Sequence, residues 1–178
     1  MKILDTSVIS GGYMPIPAFT MLCDQNQEVI YTTLKQIQVS DNSVQNIDVI
    51  QGTINDYEVN NNSVVTIRNL DANNRLYFNA RNVAENGIFI KNRVPGTIQS
   101  DDWDQWSRVD NIYTQPINTK CYQFGITVDG SQCYIEFPDD IDNLIDSGIE
   151  IKYITTNGVQ GNVGSNVITK FYDNVVLT

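Results

Sequence analysis

The side chains of this sequence that could do chemistry are its acids. Asp101, Asp102 and Asp104 form one cluster, and Asp139, Asp140 and Asp142 form another. Glycoside hydrolysis needs two carboxyl groups held about 5 to 9.5 Å apart in a cleft, and nothing in the spacing brings these clusters together. Acids in loops and at helix starts are ordinary solvated surface. Neither cluster has the alternating acids and central glycine of an EF-hand loop, so calcium is not expected at either. The chain contains no histidine. That removes serine and cysteine triads, the usual zinc sites and imidazole general bases in one step. The glycines of 158–164 have the density of a phosphate loop, but no Lys-Ser/Thr ending and no following helix accompany them. The expectation is a protein that is not an enzyme and holds no cofactor or metal.

Trp103 and Trp106 flank Asp104 and Gln105 in a polar, acidic stretch. They are the candidate ligand or partner contacts, because exposed indoles stack on the apolar faces of sugars. The competing expectation is that at least one of them folds back to seal a sheet edge, since large aromatics are mostly buried. Cys23, Cys121 and Cys133 are odd in number and widely spaced, a pattern of free, partly buried thiols rather than of a disulfide framework or zinc knuckle.

Charge narrows the partners. Eleven Lys and Arg stand against 21 Asp and Glu, a net −10, and the basic residues are scattered singly, so no stripe exists to neutralise a phosphate backbone. Nucleic acid and anionic membranes are not expected partners, and no apolar run approaches the ~20 residues of a membrane span. The first five residues reach Asp5 without a sustained apolar stretch, so no signal peptide is expected.

The elements that must position these residues read as strands. Short runs rich in Val, Ile, Thr and Tyr alternate with Asn, Asp, Gly and Ser, which predicts a mainly β protein of antiparallel sheets with one or two short helices. Strands are expected over 28–33, 35–39, 44–51, 64–69, 75–80, 87–92, 107–114, 149–155, 167–171 and 174–177. Asn60-Asn61-Asn62 and Asn73-Asn74 suit turns, since asparagine tolerates a left-handed backbone. Asp129-Gly130 predicts a type I′ hairpin turn that sets Ile126 opposite Cys133, Phe124 opposite Ile135 and Tyr122 opposite Phe137. All six apolar residues then share one face, with Cys121 on the other, so no Cys121–Cys133 disulfide is expected. Ile141, Leu144 and Ile145 at helical spacing, with Gly148 at a stop position, predict a short helix whose early acids favour its N-terminus. At 178 residues, one domain or two can form.

Several segments resemble one family. Tyr134-Ile135-Glu136-Phe137-Pro138-Asp139-Asp140-Ile141, then Ile151-Lys152-Tyr153-Ile154-Thr155-Thr156-Asn157-Gly158 and Gly161-Asn162-Val163, look like the baseplate wedge proteins of tailed bacteriophages, the baseplate J-like group. The stretches 75–78, 83–90 and 106–111 fit more loosely. Pro15-Ile16-Pro17-Ala18 with Tyr31-Thr32-Thr33 is similar to the family's opening, with Phe19 where that opening has glycine. The resemblance implies a discontinuous, barrel- or sandwich-like β-domain of 1–55 and 119–178, with a small α+β lobe of 56–118 inserted. It implies helical arms outside this chain, no catalytic residues, and assembly with other tail proteins and with copies of itself. The place implied is the virion, after synthesis in the host cytoplasm. A surface adhesin or carbohydrate-binding β-module using Trp103 and Trp106 is the alternative.

Overall fold

A computed structural model describes residues 13–40, 47–93, 103, 105–145, 147–158 and 168–172. The chain divides into two compact units, Met1–Ile54 with Thr156–Thr178, and Asn55–Thr155. Both are built of strands, as the Val-, Ile-, Thr- and Tyr-rich runs require. The described strands are β1 (Tyr13–Ile16), β2 (Met21–Asp24), β3 (Ile30–Thr33), β4 (Ile37–Ser40), β5 (Val49–Gln51), β6 (Thr53–Asp56), β7 (Val64–Val65), β8 (Arg75–Tyr77), β9 (Val83–Asn92), β10 (Ser107–Arg108), β11 (Cys121–Ile126), β12 (Cys133–Glu136), β13 (Ile149–Thr155) and β14 (Ile168–Phe171). One four-residue helix, α1 (Ile141–Leu144), and two 3-10 turns complete the regular structure among the described residues. Among the described residues no helix is long and apolar enough to cross a membrane.

In the discontinuous unit, β1 pairs with β4, and a four-stranded antiparallel sheet runs in the order β14-β2-β3-β5. The last segment of the chain therefore pairs with the first. Its turns are held by side chains. The Asp24 carboxylate accepts the amides of Glu28 at 2.8 Å, Val29 at 3.0 Å and Asn26 at 3.3 Å, and the Val29 bond leads in holding that carboxyl below its ordinary value. Phe19 has a left-handed backbone, φ 63°, and its amide donates to the Thr33 carbonyl at 2.9 Å.

The inserted unit has one apolar core fed by two sheets. Leu76, Tyr122, Cys133 and Ile135 come from the sheet ordered β10-β11-β12-β8, and Val65, Ile88, Ile90, Ile149 and Ile151 come from the sheet centred on β13. Phe78, Phe137, Ile141 and Ile145 fill the space between. The expected register is present, with Ile126 opposite Cys133 and Phe124 opposite Ile135. Gly148 ends the helical turn at φ 88°. All three cysteines are buried and none forms a disulfide.

Four expectations are corrected. The inserted unit returns at 155/156, not 118/119, because β11, β12 and β13 pair with β8, β10, β7 and β9 of the insert. The turn after Ile126 is not type I′, since Asp129 is not left-handed and Gly130 is, at φ 67°. Instead the Gly130 amide donates to the Thr127 carbonyl and the Thr127 amide to that of Gln132, at 2.8 and 2.9 Å, and this four-residue loop keeps the same register. The expected strands 64–69 and 107–114 stop at Val65 and Arg108, where side-chain bonds from Asn69 and Asn111 to local amides favour 3-10 turns. Ile126 lies on the apolar face yet is 58% exposed, because that face runs past the end of the core. The strands of 174–177 and most of the 158–164 glycines lie outside the described residues.

Candidate functional site

The two tryptophans have different environments. Trp106 is 6% exposed. Its ring stands edge-on to Phe137 with centroids 5.5 Å apart, and its indole N–H donates to Asn92 Oδ1 at 2.8 Å. A side chain so placed cannot present a face to a ligand. Trp103 is half-buried, and the ammonium groups of Lys91 and Lys152 lie 4.2 and 5.1 Å from its ring centroid. Both cations are also ion-paired, Lys91 to Glu150 at 3.2 Å and Lys152 to Asp56. Glu150 and Lys152 are two residues apart on β13, so they share a face of the sheet, with Lys91 directly opposite Glu150 on β9. Trp103 lies over this charge lattice, and the Lys91 side chain is only 8% exposed.

Of the two acid clusters the structure describes only the second. Asp101, Asp102 and Asp104 lie outside the described residues. Asp140 is the N-cap of α1 and accepts the Asn118 amide, and Asp142 sits in the first helical turn. Among the described residues no group of three or more His, Cys, Asp or Glu could hold a metal.

A concave site lies elsewhere, where the sequence reading placed only a turn. The strand β13 has β9 along one edge and both β6 and β7 along the other. The Tyr57 amide donates to the Ile151 carbonyl at 2.8 Å, while Val64 pairs with the preceding residue of β13, Glu150. Adjacent positions on β13 are therefore matched by residues seven apart in sequence, and the intervening chain projects from the sheet edge. It closes on itself in a tight hairpin. Val59 and Asn62 exchange both backbone hydrogen bonds, at 2.8 and 3.0 Å, around Asn60 and Asn61 at φ 52° and 61°. Two consecutive left-handed residues define a type I′ turn, which asparagine accepts more readily than other side chains.

The projection opens a cleft on each side of itself. One, of about 290 Å³, is lined by Asp56, Tyr57, Glu58, Asn60, Asn61, Asn79 and Tyr153. The other, of about 300 Å³, contains Trp103, Lys152, Glu150 and Ser63, and it shares Asp56 and Glu58 with the first. The wall of the first cleft is rigid. Tyr57 meets Phe78 edge-on at 5.5 Å, Phe78 meets Tyr153 at 4.9 Å, and the Tyr57 hydroxyl donates to the Tyr77 carbonyl at 2.9 Å. Burial pushes both phenols up from their ordinary value, Tyr57 with a further contribution from Tyr153. The signal in the sequence was Asn60-Asn61 next to Asp56 and Glu58, and it was readable as a turn but not as a cleft.

A second polar cluster tiles the other sheet. Arg75 Nε donates to Glu136 at 2.7 Å, and the Tyr113 hydroxyl donates to the same carboxylate at 2.8 Å. The Arg75 guanidinium stacks 4.7 Å from the centre of the Tyr134 ring. Its groups are mutually satisfied, so it is a surface of fixed shape rather than a reactive centre.

Comparison of the chain with protein-family models, with curated proteins and with solved structures finds no match.

Proposed function

We propose that this chain is a structural component of a bacteriophage tail, a baseplate wedge subunit that acts through lasting contacts with other tail proteins and with copies of itself. The observation that carries this reading is the nesting of the chain. Its first and last segments share one sheet, β14 on β2, while residues 55–155 form a unit of their own between them. A discontinuous β-domain with an inserted unit is what the resemblance in 134–158 and 161–163 implies, with the return point later than expected.

A smaller observation supports the same reading. Phe19 stands where the family's opening has glycine, and its backbone has the left-handed φ that glycine adopts freely. The chain also offers means of assembly. Among the described residues the sheet β14-β2-β3-β5 ends on β14 at one side and β5 at the other, and edge strands accept partner strands through backbone bonds. The charge of −10 favours soluble subunits before assembly and disfavours nucleic acid. In this reading the protein is made in the host cytoplasm, ends in the virion and catalyses nothing.

The test is immunoelectron microscopy of particles from a culture carrying the gene, using antibodies to the chain. Label confined to one end of the tail is the expected result. Unlabelled tails, with the chain recovered as a strict monomer outside every particle, would overturn the proposal.

A further inference from the structure

We propose that the cleft lined by Asp56, Tyr57, Glu58, Asn60, Asn61, Asn79 and Tyr153 is a binding site for a single neutral sugar ring. The argument starts from its lining. Three asparagines and two acids line it together with two tyrosines. Side-chain amides donate and accept while carboxylates accept, a combination that matches vicinal hydroxyl groups, and aromatic walls match the apolar faces of a pyranose. The other classes of ligand fit less well. An anion would meet Asp56 and Glu58, and an apolar ligand would strip water from five polar side chains. A metal ion is disfavoured because no cluster of three or more ligating acids exists among the described residues and Asp56 is already paired with Lys152.

Size agrees with chemistry. About 290 Å³ sits at the small end of ligand clefts, which begin at about 300 Å³, so the site takes one ring rather than a chain of them. The wall is preformed, because Tyr57 and Tyr153 are braced by Phe78 and the Tyr57 hydroxyl is tied to the backbone, and preformed walls reduce the cost of binding. The turn carries a further hint. Glycine is the residue best suited to the second position of a type I′ turn, yet Asn61 occupies it at φ 61°. An amide side chain stands where the backbone alone would favour none. The site is independent of Trp106, which is buried, and of the assembly role proposed above.

The test is a titration of the full-length chain with glucose, galactose and N-acetylglucosamine separately, each to about 50 mM, the range that suits the millimolar Kd of a single ring. The readout is the side-chain amide resonances of Asn60, Asn61 and Asn79. At least one sugar is expected to shift these signals with a saturable curve. Asn61→Gly preserves the turn and should weaken binding at least fivefold, and Asn79→Ala should do the same without touching the turn. Absence of saturable shifts with all three sugars would overturn the proposal. So would shifts that persist unchanged in both variants, or saturation by calcium chloride in place of sugar. None of these outcomes bears on where the chain sits in a particle.

Discussion

Replacing each tryptophan by alanine separates a core residue from a surface clasp. Trp106 fills space against Phe137 and satisfies Asn92 Oδ1, and truncating a buried aromatic costs about 3–5 kcal/mol. Trp103 is half-buried and holds two ammonium groups near its ring, each contact contributing about 0.5–1 kcal/mol, so Trp103→Ala should cost about 1–2 kcal/mol. Both indoles lie in the inserted unit of residues 55–155, so the remaining one reports the unfolding of that unit in each variant. At about 4 °C per kcal/mol for a unit of about 100 residues, Tm followed by fluorescence should fall by about 12–20 °C in Trp106→Ala and about 4–8 °C in Trp103→Ala. Trp106→Phe keeps a ring and removes the N–H, leaving Asn92 without that donor, and should cost about 1–3 kcal/mol, less than Trp106→Ala. A loss in Trp103→Ala equal to or larger than that in Trp106→Ala would refute the assignment of Trp106 to the core.

Two further predictions concern the hairpin of β11 and β12. The Thr127 hydroxyl and then the Ser131 amide and hydroxyl hold the Asp129 carboxyl down at about 2, from an ordinary 3.8, so the stability it contributes is present above about pH 4 and is lost as pH falls through 2. A carboxyl NMR titration should give its midpoint near 2, moving up in Ser131→Ala, and a wild-type midpoint at 3.8 or above would contradict the geometry. A Cβ on Gly125 would lie 2.3 Å from Cζ of Tyr134, the residue directly opposite it, so Gly125→Ala should cost about 1–3 kcal/mol in the wild type and less than about 0.5 kcal/mol in a Tyr134→Ala background. Equal costs in the two backgrounds, measured by denaturant unfolding, would show that the ring is not what the new methyl group meets.

The features legible in the sequence were those whose determinants are local. The β11–β12 register followed from alternation and a polar turn, and it survived an error in the turn type because both loops place the same residues opposite each other. The helical turn at Ile141–Leu144 and its stop at Gly148 were carried by spacing and by one residue's freedom at positive φ. The strand β13 matched its expected bounds because Ile149, Ile151 and Ile154 are buried and the run is rich in Ile, Tyr and Thr. β1 was missed because Pro15 interrupts it, and β6 because Thr53-Ile54-Asn55-Asp56 carries a single large apolar residue.

The cleft was illegible for a different reason. It exists because β6 and β7 meet the same edge of a strand that enters some 85 residues after β7, and no local pattern encodes a partner so distant. Composition could not say which tryptophan would fold back, and the expectation that at least one does so holds for Trp106. Trp103 and Trp106 look equivalent in a polar loop, and they differ because β10 begins at Ser107, which fixes Trp106 at the entry to a sheet while Trp103 stays on the chain leading to it.

Three of the acids that give this chain its charge have structural work that the composition does not reveal. Asp24, Asp71 and Asp129 each accept amides two to five residues ahead, Asp71 from Asn73 at 2.8 Å and Arg75 at 2.9 Å. Burial pushes the Asp71 carboxyl up, but those two amides and the Tyr77 hydroxyl outweigh it and leave it below its ordinary value. Each such carboxylate neutralises backbone donors that a turn would otherwise leave to water, and asparagine does the same without charge at Asn62, Asn69 and Asn111. Turns pinned this way need neither glycine nor proline and tolerate side chains that point outward. That is how a sheet protein can carry a chemically varied loop such as 57–62 on its edge without loosening the strands beneath it.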